Sequence, residues 1–164
     1  MDFRHDGELT AYRMGHVSYP LFDGGGAFKH GSRWCSPGRY IVHASSAYAL
    51  AVLENLVHWR VASLPPGMQY VRIRVPAAVS REVLTADELP GWAAYPYDAS
   101  QRAGDGWYDR AESAVLIVPS VLSPFEPNLL INQRHPQLAN ISVSEPAPAI
   151  LDPRLLAPPI AANA

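Results

Sequence analysis

Gln69-Tyr70-Val71-Arg72-Ile73-Arg74-Val75 alternates without a break: Val71, Ile73 and Val75 fall on one side of an extended chain, Arg72 and Arg74 on the other. A period of two over this length reads as a β-strand with one face in a core and the other in water. Further strands follow on working outward. Residues 114–118 form a continuous apolar run of strand length, closed by Pro119 and followed by Ser120. Residues 9–14, 40–44, 128–132 and 141–143 have strand character as well, and Ser36-Pro37-Gly38 marks a turn before the second of these. Ser18 to Ser32 reads as loop, with Gly24, Gly25 and Gly26 in a row. Residues 47–60 predict a helix, with Ser45 and Ser46 as N-cap residues and Leu64-Pro65-Pro66-Gly67 beyond its end. Residues 85–96 predict a turn or short helix, and 99–110 another helix. From Pro146 onward five prolines fall in nineteen residues, which leaves the tail little regular structure. Strands outnumber helices and do not alternate with them, so the expected class is α+β rather than doubly wound α/β.

The chain has 164 residues, enough for one domain that buries roughly two-thirds of its surface without disulfides or metals. Thirteen basic and fifteen acidic residues give a net charge of −2, which argues against a protein built to grip nucleic-acid phosphates. Lys29 is the only lysine among the basic residues. Cys35 is the only cysteine, so an intrachain disulfide and a cysteine-based zinc cluster are excluded. The first seven residues are polar and charged and do not read as a signal peptide, and the longest uncharged run, residues 40–53, is too short to span a bilayer. A soluble cytoplasmic protein with no membrane or direct nucleic-acid partner is the expectation.

Along the helix at 47–60 and one residue beyond it, Leu50, Leu53, Val57 and Val61 make an apolar stripe at 100° per residue, and Glu54 falls inside it. Burying an unpaired carboxylate costs several kcal/mol, so Glu54 needs a partner, a proton or a polar cavity. His58, one turn on, is a candidate partner. One reading makes Glu54 a rim residue bonded to His58 or an arginine. The other makes it a carboxylate held at the wall of a ligand cleft. Other motifs fail. Gly26 to Arg33 lacks the lysine that a phosphate loop needs after its second glycine, no G-x-G-x-x-G opens a helix, and Ser120 sits in no G-x-S-x-G elbow. The six histidines show no metal-ligand spacing, so no metal is expected.

An ordered set of segments resembles the RES-domain toxins of bacterial toxin–antitoxin pairs. The set runs Ala11-Tyr12-Arg13, Gly31-Ser32-Arg33-Trp34-Cys35-Ser36-Pro37-Gly38, AYALAVLENLVH at 47–58, Leu89-Pro90-Gly91-Trp92 and QRAGDGW at 101–107. It continues with 115–119 and Ser120, Asn128-Leu129-Leu130-Ile131-Asn132, His135-Pro136 and Leu151-Asp152-Pro153-Arg154-Leu155. The resemblance implies a RES-like domain over residues 1–155 with a Pro/Ala-rich tail at 156–164, and a fold related to ADP-ribosyltransferase toxins. It implies an enzyme that consumes NAD⁺ as substrate by phosphorolysis or hydrolysis of the nicotinamide–ribose bond. The alternatives are transfer of ADP-ribose to a protein, or a catalytically silent NAD-binding module. Arg33, Glu54 and Ser120 match the family's arginine, glutamate and serine and are the expected catalytic residues; Tyr12, Arg13, Arg33, Trp34, His43, His58 and Asn128 are the expected binding residues. Tyr12, Trp34 and His43 are the candidate stacking surfaces. Two positions depart from the family pattern: His43, where members usually carry tyrosine, and Cys35, where they usually carry asparagine. An imidazole at 43 can stack on a nicotinamide or hydrogen-bond a ribose, but it ordinarily titrates near neutrality. The implied partner is an antitoxin with a helix-turn-helix region that blocks the cleft, in a complex that admits a homodimer. Trp92, Tyr95 and Tyr97 are either core aromatics or part of a partner surface.

Overall fold

The computed structural model describes residues 7–58 and 65–155. Its organising strand is the alternating segment: β3 (Met68–Val75) buries Val71, Ile73 and Val75 and exposes Arg72 and Arg74. Along its whole length β3 pairs antiparallel with β1 (Leu9–His16), from Leu9 opposite Val75 to His16 opposite Met68. The remaining strands are β2 (Ile41–Ser45), β4 (Arg81–Val83), β5 (Val115–Val118), β6 (Asn128–Asn132), β7 (Ser142–Val143) and β8 (Ala147–Pro148). They form one sheet in the order β4-β5-β6-β2-β1-β3-β7, with β8 also on β3. Its pairings are antiparallel except β4 with β5. With α1 (Gly25–His30), α2 (Tyr48–Leu56) and α3 (Asp98–Arg110), this is the mixed α+β architecture that the pattern predicts.

Every residue of β5 is buried, which is why its sequence is uniformly apolar: a strand covered on both faces has no wet side to mark with polar residues. One face of the sheet packs Val42, Val71, Ile73, Val115, Ile117 and Ile131 under Leu21, Val79 and Ile141. The other carries Leu116, Val118 and Leu130 against Trp34 and Trp107, and Met14 and Met68 against Val52 of α2.

Several local expectations are corrected. Residues 25–30 are helical rather than loop; 85–96, expected as a turn or short helix, take the turn form. β4 and β8 were not legible, being three and two residues long and held by their neighbours' ladders. The N-cap of α2 is Ala47, with no side-chain cap; Ser45 lies in β2 and its hydroxyl donates to Asn128 Oδ1 at 2.8 Å. The helix ends at Leu56, and the predicted positions 59–61, like Leu64 and the tail at 156–164, lie outside the described residues. The buried arc of α2 is Leu50, Ala51 and Val52, while Leu53 and Val57 are 41% and 56% exposed. The apolar stripe is thus rotated from the expected one, because the sheet covers only one side of this short helix.

Candidate active site

β1 and β2 are neighbours joined at one ladder pair, Tyr12 opposite Ser45. Beyond it the strands part, and Arg13 bridges the gap by donating from Nη1 to the His43 carbonyl at 2.7 Å. A cavity of about 700 Å³ opens at this split, between α2, the turn at 31–34 and the segment after β5. All nine residues singled out from the sequence line it: Tyr12 and Arg13 from β1, Arg33 and Trp34 from the turn, His43 from β2, Glu54 and His58 from α2 and just after it, Ser120 after β5, and Asn128 from β6. The volume suits a nucleotide-sized ligand.

Glu54 reaches this cavity because it shares a helix face with Ala51, Asn55 and His58, which line it too. Its partner is not His58, as expected from the spacing. Among the described residues, the Ser120 hydroxyl donates to Glu54 Oε1 at 2.9 Å and Asn128 Nδ2 donates to the same oxygen at 2.6 Å. Asn128 is itself held by the Ser45 hydroxyl, and Ser120 Oγ accepts the Leu122 N–H. The carboxylate is fixed through one oxygen, and Oε2 takes no hydrogen bond from the described residues. His58 is an exposed wall residue.

Arg33 is held differently. Gly31, at φ +66°, begins a tight turn in which a Cβ would meet the Cys35 carbonyl at 2.8 Å. α3 then cradles that turn: Gln101 Nε2 donates to the Ser32 carbonyl at 2.8 Å, and Asp105 Oδ1 accepts the Ser36 N–H at 2.9 Å. Gly104 lies so close to the Trp34 carbonyl that a side chain there would collide with it. This accounts for three residues of the QRAGDGW segment, whose matching positions carried no role in the sequence. Arg33 Nη1 donates to the carbonyls of Trp92, Ala93 and Ala94, and the guanidinium lies 4.4 Å from the Tyr97 ring centre. Its Nη2 and Nε carry no hydrogen bond among the described residues.

Trp34 touches the cavity but is only 3% exposed; its ring stacks on Trp92 with centres 6.0 Å apart, so it packs the core rather than offering a free face. Tyr12 packs edge-on against Tyr48. Tyr95 is 83% exposed, while Trp92 and Tyr97 are half-buried. Arg13 Nε is buried without a partner among the described residues, and burial lowers the guanidinium's pKa, a shift that nearby Asp23 opposes. His43 departs furthest from the sequence expectation. Burial, with Arg13 adding to it, pushes its pKa down to about 3, so the ring is neutral near pH 7. Sequence reasoning missed Ser32, Ser45 and Tyr97 because each acts through a neighbour distant in the chain. No group of three or more potential metal ligands exists among the described residues, and no described helix is long and apolar enough to cross a membrane.

A mixed sheet split between two strands, with a side-chain-anchored carboxylate and two arginines around the split, defines an α+β protein with a cleft of nucleotide size. The same fold occurs in the crystal structure of the Mycobacterium tuberculosis MbcT–MbcA toxin–antitoxin complex, where one chain matches with a TM-score of 0.71 at 16% identity, over 91% of this chain and 87% of that one. Residues 10–152 match the RES domain. The Prs ADP-ribosylating toxin of Sphingobium sp. (strain YBL2) is 42% identical over 137 residues, covering 81% of this chain and 85% of the relative. Toxin Res of Pseudomonas putida is 35% identical over 128 residues, covering 77% and 87%. The chain belongs to the RES-domain family of toxins.

Proposed function

We propose that this protein is the toxin of a toxin–antitoxin pair and cleaves the nicotinamide–ribose bond of NAD⁺. The observation that carries the reading is Glu54: pinned at Oε1 by Ser120 and Asn128, with Oε2 unengaged, at the wall of a cavity that also holds Arg13 and Arg33. Cleavage breaks the C–N glycosidic bond, and its electron pair leaves with the nicotinamide nitrogen. The leaving group is neutral and needs no general acid. Positive charge is left on the ribose, as in glycoside cleavage. A fixed carboxylate that accepts a ribose hydroxyl through Oε2 stabilises that charge as it grows. The unengaged donors of Arg33 serve the pyrophosphate, with the charge of Arg13 lining the same cavity, and Tyr12 and His43 supply ring surfaces. Phosphate or water then takes the ADP-ribosyl carbon.

The test is nicotinamide release from antitoxin-free protein given NAD⁺ and phosphate; a folded protein that binds NAD⁺ and releases none contradicts turnover. A second reading keeps the same bond cleavage and makes the acceptor a protein, favoured by the 42% identical relative named as an ADP-ribosylating toxin. Labelled NAD⁺ in a cell lysate separates the two: a labelled protein band supports transfer, free ADP-ribose products support degradation. The proposed partner is an antitoxin, with a helix-turn-helix region, that covers the cleft, and the proposed place of action is the cytoplasm. The fold shared with a toxin–antitoxin complex supports the partner.

A further inference from the structure

Ser32 is the point at which the two positions departing from the family pattern meet. Its hydroxyl oxygen lies 2.8 Å from His43 Nε2 and 3.3 Å from Cys35 Sγ, and it accepts the Trp34 N–H at 3.0 Å. Its own backbone is immobilised, the N–H on the Cys35 carbonyl and the carbonyl under Gln101. Ser32 and His43 both line the cavity.

The protons of this cluster can be counted. A neutral imidazole carries one N–H. His43 Nε2 and the Ser32 hydroxyl share one hydrogen bond, whose direction follows the tautomer. With the proton on Nδ1, Nε2 accepts the Ser32 O–H. The Ser32 oxygen keeps two lone pairs, which take the Trp34 N–H and the Cys35 S–H. Burial raises the Cys35 pKa, consistent with a thiol that stays protonated. In this arrangement each donor that meets Ser32 has an acceptor, and Nε2 of His43 is occupied. The ring is left with its face and its Nδ1 side to offer a ligand.

We infer that Ser32 is a positioning residue: through Nε2 it clamps His43 so that the ring meets the NAD⁺ cavity as an uncharged plate. The inference rests on the NAD⁺ reading above. The nicotinamide ring of NAD⁺ is a cation, which an uncharged aromatic face attracts and an imidazolium repels. The ionisable groups around His43 are Arg13 and Tyr12 on β1, Arg33 and Cys35 on the turn, and Glu54 and His58 from α2 and just beyond it, with Tyr97 across the cavity. Of these, Arg13 exerts the resolved charge effect and disfavours protonation.

Two measurements on the full chain test this. In the first, nitrogen-15 NMR of the imidazole without NAD⁺ should show the Nδ1–H tautomer, unchanged between about pH 7.5 and 5. Ser32→Ala should give mixed tautomers or a ring that titrates in that range. An Nε2–H tautomer in the native protein, or an unaltered ring in the variant, overturns the clamp. In the second, Ser32→Ala should raise KM for NAD⁺ about tenfold with kcat within about twofold, and more strongly at acid pH. In a His43→Phe background, the same change should move KM less than about twofold, since no ring nitrogen remains to clamp. Equal effects in both backgrounds would mean that Ser32 only holds its turn. If Ser32→Ala does not fold, Ser32→Thr, which keeps the hydroxyl, should fold with native kinetics, and the native tautomer remains decisive. A ring locked as described in a protein that neither binds nor cleaves NAD⁺ would overturn the NAD⁺ reading and leave the clamp standing.

Discussion

The cavity has two walls built on different physical terms. On one, Glu54 is fixed by side chains: Ser120 and Asn128 hold its Oε1, and Ser45 holds Asn128. On the other, Arg33 is fixed largely by backbone: its turn lies against Gly104, hangs from Gln101 and Asp105, and its guanidinium is tied to three main-chain carbonyls. The acidic wall can lose one polar atom and keep its shape. The basic wall has no room for even one added carbon. Chemistry is therefore separable from folding on the first wall and coupled to it on the second.

This contrast can be broken at several points, taken from the largest expected effect down. Glu54→Gln keeps the shape and removes the charge; kcat for nicotinamide release should fall at least about 10²-fold with thermal unfolding nearly unchanged. A stability loss matching the activity loss would make Glu54 a packing residue. The floor between the walls has its own signature. The folded protein holds His43 neutral with a pKa of about 3, whereas an unfolded chain protonates it near its ordinary value of 6.5. Between those limits the unfolded state binds the extra proton, so stability falls as pH drops from about 6.5 towards 3, by up to several kcal/mol. Urea unfolding across that range should show a shallower acid loss for His43→Phe.

On the basic wall, Gly104→Ala should cost roughly 1–3 kcal/mol or more in urea unfolding, and lower activity although residue 104 is not a wall residue of the cavity. Native stability in that variant would mean that the turn and α3 are not locked together. Asn128→Ala should lower kcat about tenfold, because Ser120 still holds Glu54 Oε1; a loss as large as that of Glu54→Gln would mean that Asn128 itself meets the substrate. The smallest effect is expected at Asp109, the exposed partner of half-buried Arg39 at 2.7 Å, a pair that ties the segment just after this turn to α3. Asp109→Ala should change stability by less than about 1 kcal/mol, since exposed ion pairs contribute little.

Legibility in the sequence followed the range of the interactions. The alternation at 69–75 and the strand-length runs at 114–118 and 128–132 identified β3, β5 and β6, because a strand's burial is written in its own residues. The helix at 47–60 was legible as a helix, but not in its rotation: Leu53 and Val57 are apolar in isolation and exposed in place. Glu54 was singled out for sitting on an oily stripe, and it sits instead on the cavity-facing side of α2. The inference of a carboxylate at a cleft wall agrees with its position, although the stripe and the His58 partner that led there do not. Trp34 reads as a stacking surface and is core.

The order of motifs along the chain, the α+β class and the family belong to the sequence alone, since local patterning and residue identity are one-dimensional properties. Tertiary structure alone decided that Glu54 leans on Ser120 and Asn128, that a glycine of α3 seats the Arg33 turn, and that His43 is a neutral ring. Those facts depend on distance and burial between residues up to about seventy positions apart, and no period or spacing in a linear chain encodes them.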